Sequence, residues 1–166
     1  SETFLKELRE LFSLQTYQLN PSVADLLHNN LYKLYVQDEL YLVPLWHHKS
    51  YFSDTLMVIC EPEFSEEEKQ QNVFIDEDNN LYLDVHLDCS NLLRIFLESV
   101  NSADSPSVSF HLGNKTFDIP LAALCWTREP QIYRCVGQGI SIEMDIEHIQ
   151  KNIQQKADIV VQVFLH

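Results

Sequence analysis

Residues 131–142, QIYRCVGQGISI, decide how this chain is read. The chain has three glycines, Gly113, Gly137 and Gly139, and two of them stand here one residue apart. Gln131–Val136 has the pattern of a strand. A strand that runs into Gly-Gln-Gly needs two permissive backbone positions close together, as at a bulge or a sharp exit from a sheet. The third glycine lies upstream in VSFHLGNKTFDIP, residues 108–120, where two alternating runs flank Leu-Gly-Asn-Lys. That is a β-hairpin with φ > 0 at its turn. Downstream, ADIVVQVFLH at 157–166 is an apolar run rich in β-branched residues, the pattern of a buried strand. Gly113, Gly137 and Gly139 are therefore expected as structural turn residues of a mainly β fold.

Working outward, IDEDNNLYLDVHLD places Leu81, Leu83, Val85 and Leu87 against Tyr82, Asp84, His86 and Asp88. This alternation marks a half-buried antiparallel strand after an Asp/Asn turn. NSADSPS, 101–107, is a loop, and SEEEKQQ, 65–71, is a charged segment forming a helical turn or a loop. LYKLYVQDELYLVPLW, 31–46, reads as two strands around a polar turn, with Pro44 at the sheet margin. SDTLMVICEPEF adds a strand ended by Pro62. At the start, Phe4, Leu5, Leu8, Leu11 and Phe12 share one face of a helix over Ser1–Phe12. Asn20 as N-cap and Pro21 at the first turn predict a second short helix, ended by Asn29-Asn30.

The collinear order of hairpin, strand, Gly-x-Gly-Ile turn and final strand resembles the C-terminal β-domains of DnaJ-type (J-domain) co-chaperones. Leu112-Gly113 stands for that family's hairpin, Gly137-Gln138-Gly139-Ile140 for its turn, and Ala157-Asp158-Ile159 for the start of its final strand. Ser141 replaces the family's usual proline and Ala157 its usual glycine, as in a divergent branch. NNLYKLYVQDELYLVPLWHHKSYF resembles a segment of the divergent versions found in large DNA viruses and some protists. The resemblance covers residues 25 to 166 and is strongest after Val73. It implies an antiparallel two-sheet β-sandwich with two short N-terminal helices. The implied division is a helical arm at 1–30, a reduced first β-domain at 31–72 and a second at 73–166.

Composition narrows the function. Twenty-five acidic residues against eleven basic give a formal net charge of −14, and the basic residues are scattered singly, so nucleic acid is not the expected partner. FLKELRELFSL is too short and too charged to span a bilayer. No membrane partner is expected. Cys60, Cys89, Cys125 and Cys135 form no C-x-x-C pair and read as buried reduced thiols in a cytoplasmic protein, two disulfides being the alternative.

Motifs for nucleophilic, zinc-protease, P-loop or dinucleotide chemistry do not occur, so no enzyme and no cofactor is expected. His47 and His48, as neighbours on a strand, point to opposite faces and make a poor metal pair. Asp76, Asp78 and Asn80 have acidic alternation but lack the glycine and glutamate of a calcium loop, so they read as a turn. Glu143, Asp145, Glu147 and His148 read as a solvated acidic stretch. The resemblance further implies a polypeptide-binding module without the His-Pro-Asp motif that stimulates a heat-shock ATPase, and without the family's zinc module. Contact with such an ATPase would run through a J-domain outside this sequence; the chain starts at Ser1, which leaves room for one.

The expected peptide-binding edge is Leu34, Val36, Tyr41, Val43 and Trp46, where an extended client or partner chain would add a strand. A structural role, such as a component of a viral particle in virion or host cytoplasm, is the alternative, and a homodimer stays open.

Overall fold

In the computed structural model, residues 1–11, 15–142, 145–151 and 155–166 are described. Phe12, Glu143 and the side chains of Leu8 and Leu11 lie outside that description. The elements in order are α1 (Glu2–Leu11), β1 (Gln15–Leu19), α2 (Val23–Leu27), β2 (Leu31–Val36), β3 (Glu39–Pro44), β4 (Lys49–Ser53) and β5 (Leu56–Cys60). There follow α3 (Glu66–Gln70), β6 (Phe74–Ile75), β7 (Leu81–Leu87), α4 (Cys89–Ser99), β8 (Ser107–Leu112) and β9 (Lys115–Pro120). A 3-10 turn at Leu121–Ala123, β10 (Gln131–Cys135), α5 (Ile146–Gln150) and β11 (Ile159–Leu165) complete the chain. The protein is mainly β.

The described strands form a three-stranded sheet β1-β5-β4, a four-stranded sheet β10-β11-β7-β6, and two hairpins, β2-β3 and β8-β9. Both larger sheets are mixed, because β1 runs parallel to β5 and β11 parallel to β7. One face of β11, Ile159, Val161, Val163 and Leu165, is buried, and on the other face Val160 is buried while Gln162 and Phe164 are half-buried. Apolar residues on both faces make it read as an apolar run where β7 alternates. One hydrophobic cluster runs from Val23 to Leu165 and draws on all three segments of the expected division.

α2 is a short helix fixed by its cap. Ser22, not Asn20, is the N-cap: its hydroxyl accepts from Asp25 N at 3.1 Å, and Asp25 Oδ2 accepts from Ser22 N at 3.0 Å. This capping box reciprocally satisfies two end donors. Val23, Leu26 and Leu27 then enter the core, and Asn29 leaves the helix at φ +54. SEEEKQQ forms α3 on the same device, with Ser65 and Glu68.

Of the three glycines, two have the expected backbone. Gly113 sits at φ +56 and Gly137 at φ +67. Gly139 is outside the left-handed region, and its reason is space: a Cβ there would stand 2.8 Å from Ala157 O and 2.9 Å from Asp158 O. Its N–H donates to Ala157 O at 2.8 Å. The two glycines of the turn therefore serve different needs, one torsional and one steric.

Candidate functional site

β3 ends at Pro44, and the connector Leu45-Trp46-His47-His48 turns the chain toward β4. Leu45 and Trp46 are buried there, Trp46 to 3% exposure. Beside them opens a cleft of about 490 Å³ with Leu26, Leu45, Trp46, Cys60, Pro62 and Ile75 among its walls. His48, Asp76, Glu77 and Asn79 supply its polar lining. A second cleft of about 410 Å³ adjoins it, sharing Trp46, His48, Glu77 and Asn79 and adding His47 and Ile142.

The turn between β6 and β7 forms one wall of the cleft. Asp76 Oδ1 accepts from Asp78 N at 2.9 Å and Asn80 N at 2.8 Å, while Oδ2 accepts from Asn80 Nδ2 at 3.1 Å and Tyr82 Oη at 3.0 Å. Burial pushes the Asp76 carboxyl up, but the hydrogen bonds from Asn80, Tyr82 and Asp78 outweigh it and hold the group below its ordinary value. Asp76, Asp78 and Asn80 thus build a turn, as their spacing implies. Asn79, at φ +64, reaches across: its Nδ2 donates to Trp46 O and Ser141 O, each at 3.0 Å. One amide thereby fastens the Trp46 connector to the segment after Gly139.

His47 and His48 do not lie on a strand. Pro44 ends the ladder, the connector turns, and both residues line the second cleft. His48 Nδ1 lies 3.2 Å from Cys60 O, and Cys60 N donates to His48 O at 2.9 Å. Burial pushes the Cys60 thiol up to about 11, so it is neutral at pH 7 and no nucleophile. All four cysteines are free; Cys60 and Cys135 are buried, Cys89 is half-buried, and Cys125 is exposed, contrary to its expected burial.

The expected peptide-binding residues are separated by the pleat. Leu34, Val36, Tyr41 and Val43 share one face of β2-β3, and that face turns inward. Leu34 and Val43 are core residues, and Val36 and Tyr41 are half-buried against the core. Tyr41 packs on Phe52 with ring centroids 5.3 Å apart. These four cannot form an open apolar surface, because their face is already occupied. Of the five, Trp46 lines the cleft. The outward face carries Lys33, Tyr35, Leu40 and Leu42, with Tyr35 66% and Leu40 48% exposed. Sequence reasoning missed Tyr35 and Leu40, although Tyr35 pairs directly with Leu40 in the two-residue hairpin register.

Among the described residues no helix is long and apolar enough to cross a membrane. No known family's model matches the chain, and no curated protein matches it.

Proposed function

We propose that the chain is a polypeptide-binding β-domain of the DnaJ-like kind, taking extended client or partner segments at the β2-β3 hairpin and the Trp46 cleft. One observation carries this reading. The hairpin presents Tyr35 and Leu40 to solvent, pairs with no further described strand, and leads directly into a cleft walled by Leu26, Leu45, Trp46 and Ile75. An added strand would gain main-chain hydrogen bonds from the hairpin edge, and alternate side chains would lie on Tyr35 and Leu40. An apolar anchor would enter the cleft beside Trp46. Nothing in this sequence couples that event to an ATPase, so a J-domain outside it would do so.

The test is fluorescence polarisation of labelled Leu/Val/Phe-rich decapeptides, alongside suppression of aggregation of a denatured reporter protein. Leu40→Lys should weaken peptide affinity about tenfold, the loss of roughly 1.4 kcal/mol, with the melting temperature unchanged. Equal affinity in Leu40→Lys and wild type would sink the hairpin as the binding surface.

A second reading, a structural subunit of an assembly, is favoured by the apolar faces of two helices. Phe4 and Leu5 on α1 are exposed, as are Leu93, Phe96 and Leu97 on α4 and Val100 at its C-terminal cap. Sedimentation showing a stable oligomer whose formation Leu97→Glu abolishes would support it over the first.

A further inference from the structure

We propose that His86 and His166 form a two-point chelating site for a borderline divalent cation such as Zn²⁺. β7 and β11 are parallel neighbours in register, with His86 opposite Phe164 and His166 two residues further along the same face. His86 Nδ1 and His166 Nε2 face each other at 2.7 Å. The rings are within 18° of parallel, with centroids 5.0 Å apart. Phe164 stacks on His86 at 4.6 Å and fixes that ring's plane. The second ring is mounted on a pinned backbone: His166 N donates to Leu87 O at 2.9 Å, and His166 O accepts from Cys89 N at 2.8 Å.

Two neutral imidazole nitrogens cannot point lone pairs at each other unless something lies between them. In the free protein that is one proton. A metal can replace it. Nitrogens bound tetrahedrally at 2.0–2.1 Å lie roughly 3.3 Å apart, so the rings need open by about 0.6 Å. On metal entry the shared proton moves to the other nitrogen of its own ring, so two neutral imidazoles bind and no net proton is released. Among the described residues no group of three or more His, Cys, Asp or Glu is placed to hold a metal, so water completes the coordination shell. The net charge of −14 draws cations to the surface. A bound ion would clamp the end of β11 to the junction of β7 and α4.

The experiment is calorimetric titration of the whole chain with ZnCl₂ at pH 7.5, in wild type, His86→Gln, His166→Gln, and the exposed controls His28→Gln and His111→Gln. Circular dichroism checks that each variant is folded. One Zn²⁺ per chain is expected, at least tenfold weaker in each of the first two variants and within twofold of wild type in the controls. X-ray absorption of the zinc-loaded wild type should show two imidazole ligands. The proposal is overturned if no Zn²⁺ binds at millimolar concentration, or if either His86→Gln or His166→Gln binds as tightly as wild type.

Discussion

The two hairpins β2-β3 and β8-β9 have the same backbone and opposite surfaces. Each pairs six residues with six across a two-residue turn, and both turn residues lie at positive φ: +49 and +65 at Gln37-Asp38, +56 and +63 at Gly113-Asn114. In β8-β9 the inner face is Val108, Phe110, Leu112, Phe117 and Ile119, with Phe110 stacked on Phe117 at 5.3 Å. Its outer face is polar and cross-linked: Ser109 Oγ donates to Asp118 Oδ1 at 2.6 Å, and His111 Nδ1 meets Thr116 Oγ1 at 3.0 Å. In β2-β3 the outer face is Lys33, Tyr35, Leu40 and Leu42. The turns differ as well. α2 rests on Gly113, whose Cβ would meet Leu27 Cδ1 at 2.9 Å and Ala24 N at 3.0 Å, while Gln37 and Asp38 are exposed. Identical ladders can thus be a buttressed wall or an open platform, and the outer face tells which.

The sharpest way to break this contrast is at the inner and outer faces. Phe110→Ala should destabilise by about 3–5 kcal/mol in urea unfolding, since it empties a core position. Tyr35→Ala should stay within about 0.5 kcal/mol of wild type. Similar losses at both would mean that the outer face of β2-β3 is covered in solution.

The turns come next. Gly113→Val should lose roughly 3 kcal/mol, from strained φ and from contact with the α2 backbone. Asp38→Gly should be neutral or stabilising by about 0.5–1 kcal/mol, since glycine takes positive φ freely and nothing packs there. Thermal melts should therefore fall for Gly113→Val and hold or rise for Asp38→Gly.

A further effect concerns the helix that rests on the β8-β9 turn. Ser22→Ala should cost about 1 kcal/mol through loss of the α2 cap. The hydrogen bond from Asn30 holds the Asp25 carboxyl below its ordinary value, burial opposes it, and bonds from Ser22 add to the lowering. A depressed carboxyl contributes stability above its unfolded value and loses it as pH falls through the folded one. Asp25→Asn should therefore melt lower than wild type at pH 7 and lose less on acidification to pH 3. Equal acid sensitivity of the two would remove Asp25 from the account.

Much of this was legible because it rests on alternation and on special backbone positions. The β8-β9 turn at Gly113, the alternating β7 and the apolar β11 each show a pattern with one physical cause. β2-β3 shows why a site was not. Both of its faces are mostly apolar with one charge each, Leu34, Val36, Tyr41 and Val43 with Glu39 on one and Leu31, Tyr35, Leu40 and Leu42 with Lys33 on the other, so alternation cannot say which turns inward. α4 went unseen, since no element is expected between the strand ending at Asp88 and the loop at 101–107. Its signals were Asp88, which caps it through Ser90 N, and the spacing of Leu92, Phe96 and Val100. Of these three, Leu92 alone is buried. The parallel pairings were out of reach, since periodicity reports faces and not the direction of a neighbour.

β11 lies between β10 and β7 in the sheet, yet it follows both in the chain. During synthesis β7 and β10 emerge first and have no partner in each other. At typical elongation rates the interval between β7 and β11 lasts on the order of several seconds. Throughout it the edge of β7 that will pair with β11 stays open, beside the apolar side chains Leu81, Leu83 and Leu87. The nascent chain is then itself an extended segment with an open edge and an apolar face, the kind of segment its finished hairpin is proposed to hold.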